Sequence, residues 1–179
     1  MVTAAHVAEA MHLSAQDWKE IEIRERESKA SLPARILRLA GSHTEKIAVL
    51  ELRTAFTGAA ALLLRTRPLA PDEQLVSLAY PKSELRFASG RFVQYGSADR
   101  FAGFALLEMH DGNDRLVLDH GASGAPVLDC EGRVVAVVST LVTQTISLPT
   151  GAVRVSTAWR TPNVLSIPAG VLKGFSSSE

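Results

Sequence analysis

Gly121-Ala122-Ser123-Gly124-Ala125-Pro126 sets one serine among residues with almost no side chain. Glycine permits the backbone settings of a tight turn, and a tight turn can aim successive N–H groups into one concavity. A hydroxyl nucleophile for acyl transfer needs such donors for the developing oxyanion, and a base within hydrogen-bond reach. All five histidines (His6, His12, His43, His110 and His120) precede Ser123. The order nucleophile, acid, histidine is therefore excluded, and the Gly-x-Ser-x-Gly elbow fails at Ala125. The order histidine, third member, serine in a strand-rich chain belongs to a double β-barrel.

Working outward from that segment, strand signals dominate. Glu20-Ile21-Glu22-Ile23-Arg24 alternates polar and apolar with period two, and Arg35–Leu39, Ile47–Leu52, Gln74–Ala79, Gly90–Tyr95, Ala105–Met109, Leu116–Leu118, Val134–Val138 and Val153–Thr157 follow. Gly, Pro, Asp and Asn punctuate these runs every ten residues or so, as in a sandwich or barrel. The charged stretch Lys19–Lys29 reads as the solvated face of a strand and its hairpin turn. Helix is expected only at Ala5–Met11, Gln16–Lys19 and a closing turn near Pro168–Leu172. Ala55–Leu64 is ambiguous, because its alanines favour helix and its Gly58 does not.

The chain has 179 residues, enough for one domain or two halves sharing a core. Nineteen basic residues balance nineteen acidic ones, which argues against a nucleic acid or an anionic membrane bound through bulk charge. A single cysteine cannot close an internal disulfide, and 46% hydrophobic residues exclude a disordered chain. The longest uncharged run, Val134–Val153, carries Ser, Thr, Gln, Pro and Gly among β-branched residues and reads as two strands around a turn, not a membrane span. His6, His12 and His43 lack the spacing of a ligand set such as His-Glu-x-x-His, so no metal site and no cofactor are expected.

Thr3-Ala4-Ala5-His6 and Gly121–Pro126 together resemble the histidine and serine motifs of the trypsin-like serine peptidases, in the style of the bacterial HtrA-like forms. Leu128–Val137 is similar to the hairpin that follows the family's serine, Tyr80-Pro81 and Ser89–Val93 to the first strands of the second barrel, and Ser166–Ala169 to the end of the bacterial type. The resemblance implies an all-β fold of two packed antiparallel six-stranded barrels, the first incomplete at its N-terminus, with a short C-terminal helix. Residues 1–66 would form the half carrying the histidine motif and 67–179 the half carrying the serine motif. Arg67-Pro68-Leu69-Ala70-Pro71 would be the linker. The implied chemistry is hydrolysis of peptide bonds by a Ser123 nucleophile and a His6 base, with Gly121 and Ser123 N–H groups as oxyanion donors. Val117 would lie at the base of the specificity pocket and favour small or aliphatic side chains.

Two positions depart from the family. Lys46 stands just before Ile47-Ala48-Val49-Leu50, where the triad aspartate is expected. A protonated lysine offers no acceptor for the imidazole N–H and opposes an imidazolium, and loss of the acid costs about 10⁴-fold in turnover. Neighbouring Glu45 points to the opposite face of an extended chain. In addition, Met1 lies only five residues ahead of His6, where the family carries about two further strands. That shortness implies either a start upstream, compatible with a periplasmic or secreted protein, or a truncated or decayed gene product; a partner that supplies the missing strands would make it an oligomer. Three functions are thus open: a serine endopeptidase of low efficiency, a pseudo-peptidase that binds peptide or protein without cleaving it, and a fragment completed by another chain.

Overall fold

Ile21 and Ile23 alternate with charged neighbours, and this segment forms strand β2 (Lys19–Glu25), which turns into the long β3 (Ser28–Ala40) with Lys19 opposite Ala34 and Glu25 opposite Ser28. The computed structural model describes residues 1–25, 28–41, 46–55, 60–97, 102–113, 115, 118, 120–141, 143–148, 151–156 and 162–173. Before the hairpin come β1 (Val2–Ala4) and helix α1 (Ala5–Ala10), and after it β4 (Ile47–Leu52). The four strands pair antiparallel in the order β1-β4-β3-β2 and form an open sheet. This is the incomplete first barrel.

The second half closes on itself. Strands β5 (Gln74–Ala79), β6 (Arg86–Tyr95), β7 (Ala105–His110), β8 (Pro126–Leu128), β9 (Val134–Leu141) and β12 (Val164–Pro168) form a barrel in the order β12-β7-β6-β5-β8-β9. A separate hairpin, β10 (Thr143–Leu148) with β11 (Gly151–Ser156), lies between β9 and β12 in sequence. A 3₁₀ turn over Ala169–Leu172 closes the described chain, as the expected short C-terminal helix. Ile47–Leu52 and Gln74–Ala79 have the expected bounds. The expected helix at Gln16–Lys19 is absent: those residues bend, and Lys19 already opens β2. The run Val134–Val153 takes in parts of three strands, not two, because β9 is followed by the β10–β11 hairpin. In the ambiguous Ala55–Leu64, the described residues 60–64 are not helical, and Leu64 bridges Val134.

Three apolar clusters hold the halves. Ala5, Ala8, Leu13, Ile21, Ala34 and Leu50 bury the inner face of the first sheet. Leu75, Phe92, Leu107, Met109, Val127 and Val138 fill the barrel. Between them, Ala40 and Ile47 of the first sheet meet Leu106, Val137, Ile167 and Leu172 of the second half, so a third apolar cluster spans the junction.

A buried ionic network pins the segment between β4 and β5. Leu63 and Arg65 exchange backbone hydrogen bonds with Val134, and the Arg65 guanidinium reaches Glu73, Asp129 at 3.2 Å and the Pro68 carbonyl. Asp129 also accepts the backbone N–H groups of Glu131 and Arg133 and the Arg133 guanidinium at 2.9 Å. Burial alone would raise the Asp129 pKa. The hydrogen bonds from Arg133, Arg65 and Glu131 outweigh it and hold the carboxyl at about 2. Arg65 is pushed above its ordinary value, chiefly by the bond to Glu73, and that bond lowers Glu73 in turn.

Because the folded pKa of Asp129 lies below its unfolded value, folding favours the ionised form. The stabilisation, about 2 kcal/mol, is complete above the unfolded pKa and is lost as pH falls from about 4 through about 2. Asp129→Asn should flatten that part of a stability–pH curve measured by denaturant titration. Barrel packing gives a second expectation. A Cβ on Gly90, which lies opposite Met109 and Leu75, would sit 1.8 Å from the Glu108 carbonyl oxygen. Gly90→Ala should cost about 3 kcal/mol or more, lowering Tm by roughly 6–12 °C, whereas Gly112→Ala, with nothing within 4 Å, should stay within about 0.5 kcal/mol.

Candidate active site

Ala4 is extended and provides no side-chain cap for α1, so the first orphan N–H of the helix, that of Ala5, is taken by the Lys46 carbonyl at 2.6 Å. His6 follows on the first turn, half-buried between the buried Ala5 and Ala8 faces. At the far end, His12 adopts φ 55° and stops the helix, while the Leu13 N–H returns to Ala8 at 3.0 Å. Pairing of Ala4 with Ile47 fixes Lys46 beside the residue that precedes His6. Lys46, half-buried, is thus held by its backbone next to the histidine segment.

The serine segment is a turn closed by the Ala125 N–H on the Ala122 carbonyl at 3.0 Å. Its third residue, Gly124, has φ +92°, the left-handed setting that a type II turn needs there. Gly124 donates to the Val138 carbonyl and Val138 to that of Ala125, which anchors the turn on β9. Ala125 itself keeps an ordinary negative φ, so alanine fits where the family pattern has its second glycine. Gly121 has φ +96°, and a Cβ there would lie 3.3 Å from the Cα of Pro81. Among the described residues, no backbone carbonyl takes the N–H of Gly121 or of Ser123.

The two motifs adjoin through glycine. A Cβ on Gly124 would come within 2.4 Å of Thr3 Oγ1 and 3.5 Å of the Ala4 nitrogen, so the serine turn lies directly against the strand that leads into His6. The Ser123 hydroxyl, half-buried, donates to the Ser139 carbonyl at 2.8 Å on β9. His120 is exposed at the start of the turn. Val117, together with Glu45 and His43, lies outside the described residues. Sequence reasoning missed Ser139 as the partner of Ser123. Its only trace in the sequence is a serine ending an otherwise apolar run, Val134–Val138, and the structure buries it fully. Thr3 lies within the histidine motif, and nothing in the sequence marks it as the contact of Gly124.

The sequence pattern of the trypsin-like peptidase domain matches residues 1–137. The chain belongs to the trypsin-like peptidases. Solved structures agree on the fold. An inactive form of a mutant Rv3671c from M. tuberculosis H37Rv shares 14% identity at a TM-score of 0.60, over 97% of this chain and 73% of that one. The MamO protease domain from Magnetospirillum magneticum shares 15% at 0.59, over 99% and 82%. The HtrA-type protease AlgW, solved with a decapeptide, shares 14% at 0.61, over 93% of this chain and 44% of its own length. The trypsin-like chain thus spans less than half of AlgW. No curated protein matches it.

If the contact between Gly124 and Thr3 sets the approach of the two motifs, it must be steric. Gly124→Ala should destabilise by about 2–4 kcal/mol, from the left-handed φ and the collision with Thr3 together. Thr3→Ala in the same chain should recover about 1 kcal/mol or more of that loss, read as a coupling term from denaturant midpoints of the four proteins.

Proposed function

We propose that this domain is a serine-type endopeptidase of low intrinsic turnover. The observation that carries the reading is the packing of Gly124 on Thr3, which sets the serine turn against the histidine strand. In this reading the halves 1–66 and 67–179 contribute one motif each. Ser123 Oγ attacks the scissile carbonyl carbon while its proton passes to a ring nitrogen of His6. The carbonyl oxygen becomes an oxyanion that accepts the Gly121 and Ser123 N–H groups. His6 returns the proton to the leaving amine, the C–N bond breaks, and an acyl ester remains on Ser123. Water, deprotonated by the same imidazole, then releases the acid. Peptide as the ligand class draws support from AlgW, whose structure holds a decapeptide.

A second reading, a peptide-binding domain without turnover, rests on two observations. The Ser123 hydroxyl is committed to the Ser139 carbonyl, which cannot act as a base, and Lys46 stands where the carboxylate would orient His6. Labelling with a fluorophosphonate separates the two, because the probe needs an activated serine but no particular substrate. Slow labelling that disappears in Ser123→Ala and in His6→Ala is expected. Lys46→Asp should accelerate it by two or more orders of magnitude, towards the roughly 10⁴-fold that a triad acid provides. Absence of labelling in folded protein, before and after Lys46→Asp, would leave the binding reading alone standing.

A further inference from the structure

Strand β5 buries Leu75 and Ala79, but between them inverts the usual placement of polar and apolar residues at Ser77 and Leu78. Ser77 points inward, fully buried, and its hydroxyl donates to the Pro126 carbonyl at 2.8 Å, while Leu78 points outward. Directly across the ladder from Leu78 stands Phe87 of β6. Tyr80 and Leu85 follow at the turn end of the same hairpin. All four are exposed: Leu78 by 39%, Phe87 by 52%, Leu85 by 55% and Tyr80 by 60%. The turn they flank is strained, since Lys82 and Ser83 hold successive left-handed φ values of 54° and 65° without being glycine. It is also placed against the serine segment, because the Pro81 Cα is the atom a Cβ on Gly121 would meet first.

We propose that Leu78, Tyr80, Leu85 and Phe87 form an extended subsite that takes apolar side chains of a peptide held at the Ser123 turn. This deepens the peptide-binding part of the reading above and rests on it. Side chains of about 150–250 Å² at these exposures leave on the order of 400 Å² of apolar surface in water. That is half of the roughly 800 Å² per partner that a stable protein–protein contact buries, so a second copy of this chain is a poor occupant. A short extended peptide fits better. Residues two apart on one strand are about 7 Å apart, as are alternate side chains of an extended ligand, so a pair of apolar side chains meets the two rows of the strip. Continuity with Gly121 gives the peptide one path over both.

The test is binding to the Ser123→Ala protein, which is independent of turnover. Fluorescein-labelled ten-residue peptides of Gly, Ser and Ala, with a Leu-x-Leu pair moved one position at a time, would be titrated by anisotropy. One or two registers should bind about tenfold more tightly than the peptide without leucine. Leu85→Ser with Phe87→Ser should abolish that advantage, and Phe87→Leu should keep it. As exposed positions these substitutions should leave the unfolding midpoint nearly unchanged. Equal affinity for all registers, or a preference untouched by the double substitution, overturns the subsite. So does a concentration-dependent dimer, seen by sedimentation, that the same double substitution dissolves. A failed fluorophosphonate reaction in the unmodified chain would instead count against catalysis and leave the peptide titration to decide the strip.

Discussion

The close approach of Gly124 to Thr3 is the constraint on which the arrangement turns. Two sheets with separate cores meet along Ala40, Ile47, Val137 and Ile167, and apolar packing alone would tolerate small slips of one against the other. A backbone without a side chain, set against a buried threonine, does not. It ties the turn that carries Ser123 to the strand that leads into His6, while the Lys46 carbonyl ties the start of α1 to β4. Each motif is thereby anchored by backbone rather than by long side chains, which holds a site more rigidly.

Much of this could be read from the chain. The apolar run broken only by Glu51 located β4, and Gln74–Ala79 marked β5, each at its observed bounds, while the order of His6 and Ser123 selected the double-barrel fold. Legibility failed where structure depends on distant partners. Gln16-Asp17-Trp18-Lys19 has the composition of a helical turn, yet Lys19 is claimed by pairing with Ala34. Val134–Val153 offered no break between Leu141, where β9 ends, and Thr143, where β10 begins, because its strands share one β-branched composition. Arg65 and Asp129 are 64 residues apart, and nothing local marks them as partners. The hydrogen bond from Ser123 to Ser139 belongs to the same class: it exists because β9 passes behind the turn, a consequence of barrel closure.

Two obstacles stand between the proposed site and turnover, and they differ greatly in size. Releasing the Ser123 hydroxyl from Ser139 forfeits one neutral hydrogen bond, a net cost of about 1 kcal/mol, or less than tenfold in rate. A substrate N–H that competed for the same carbonyl would return part of it. Loss of a triad carboxylate is another matter, since 10⁴-fold corresponds to roughly 5.5 kcal/mol of transition-state stabilisation. The serine's resting hydrogen bond therefore weighs far less than a missing carboxylate would in choosing between cleavage and binding alone. In the proposed reading the occupant of position 46 decides it, and because the Lys46 backbone carbonyl accepts the Ala5 N–H, its side chain can be exchanged without touching the bond that holds the start of α1.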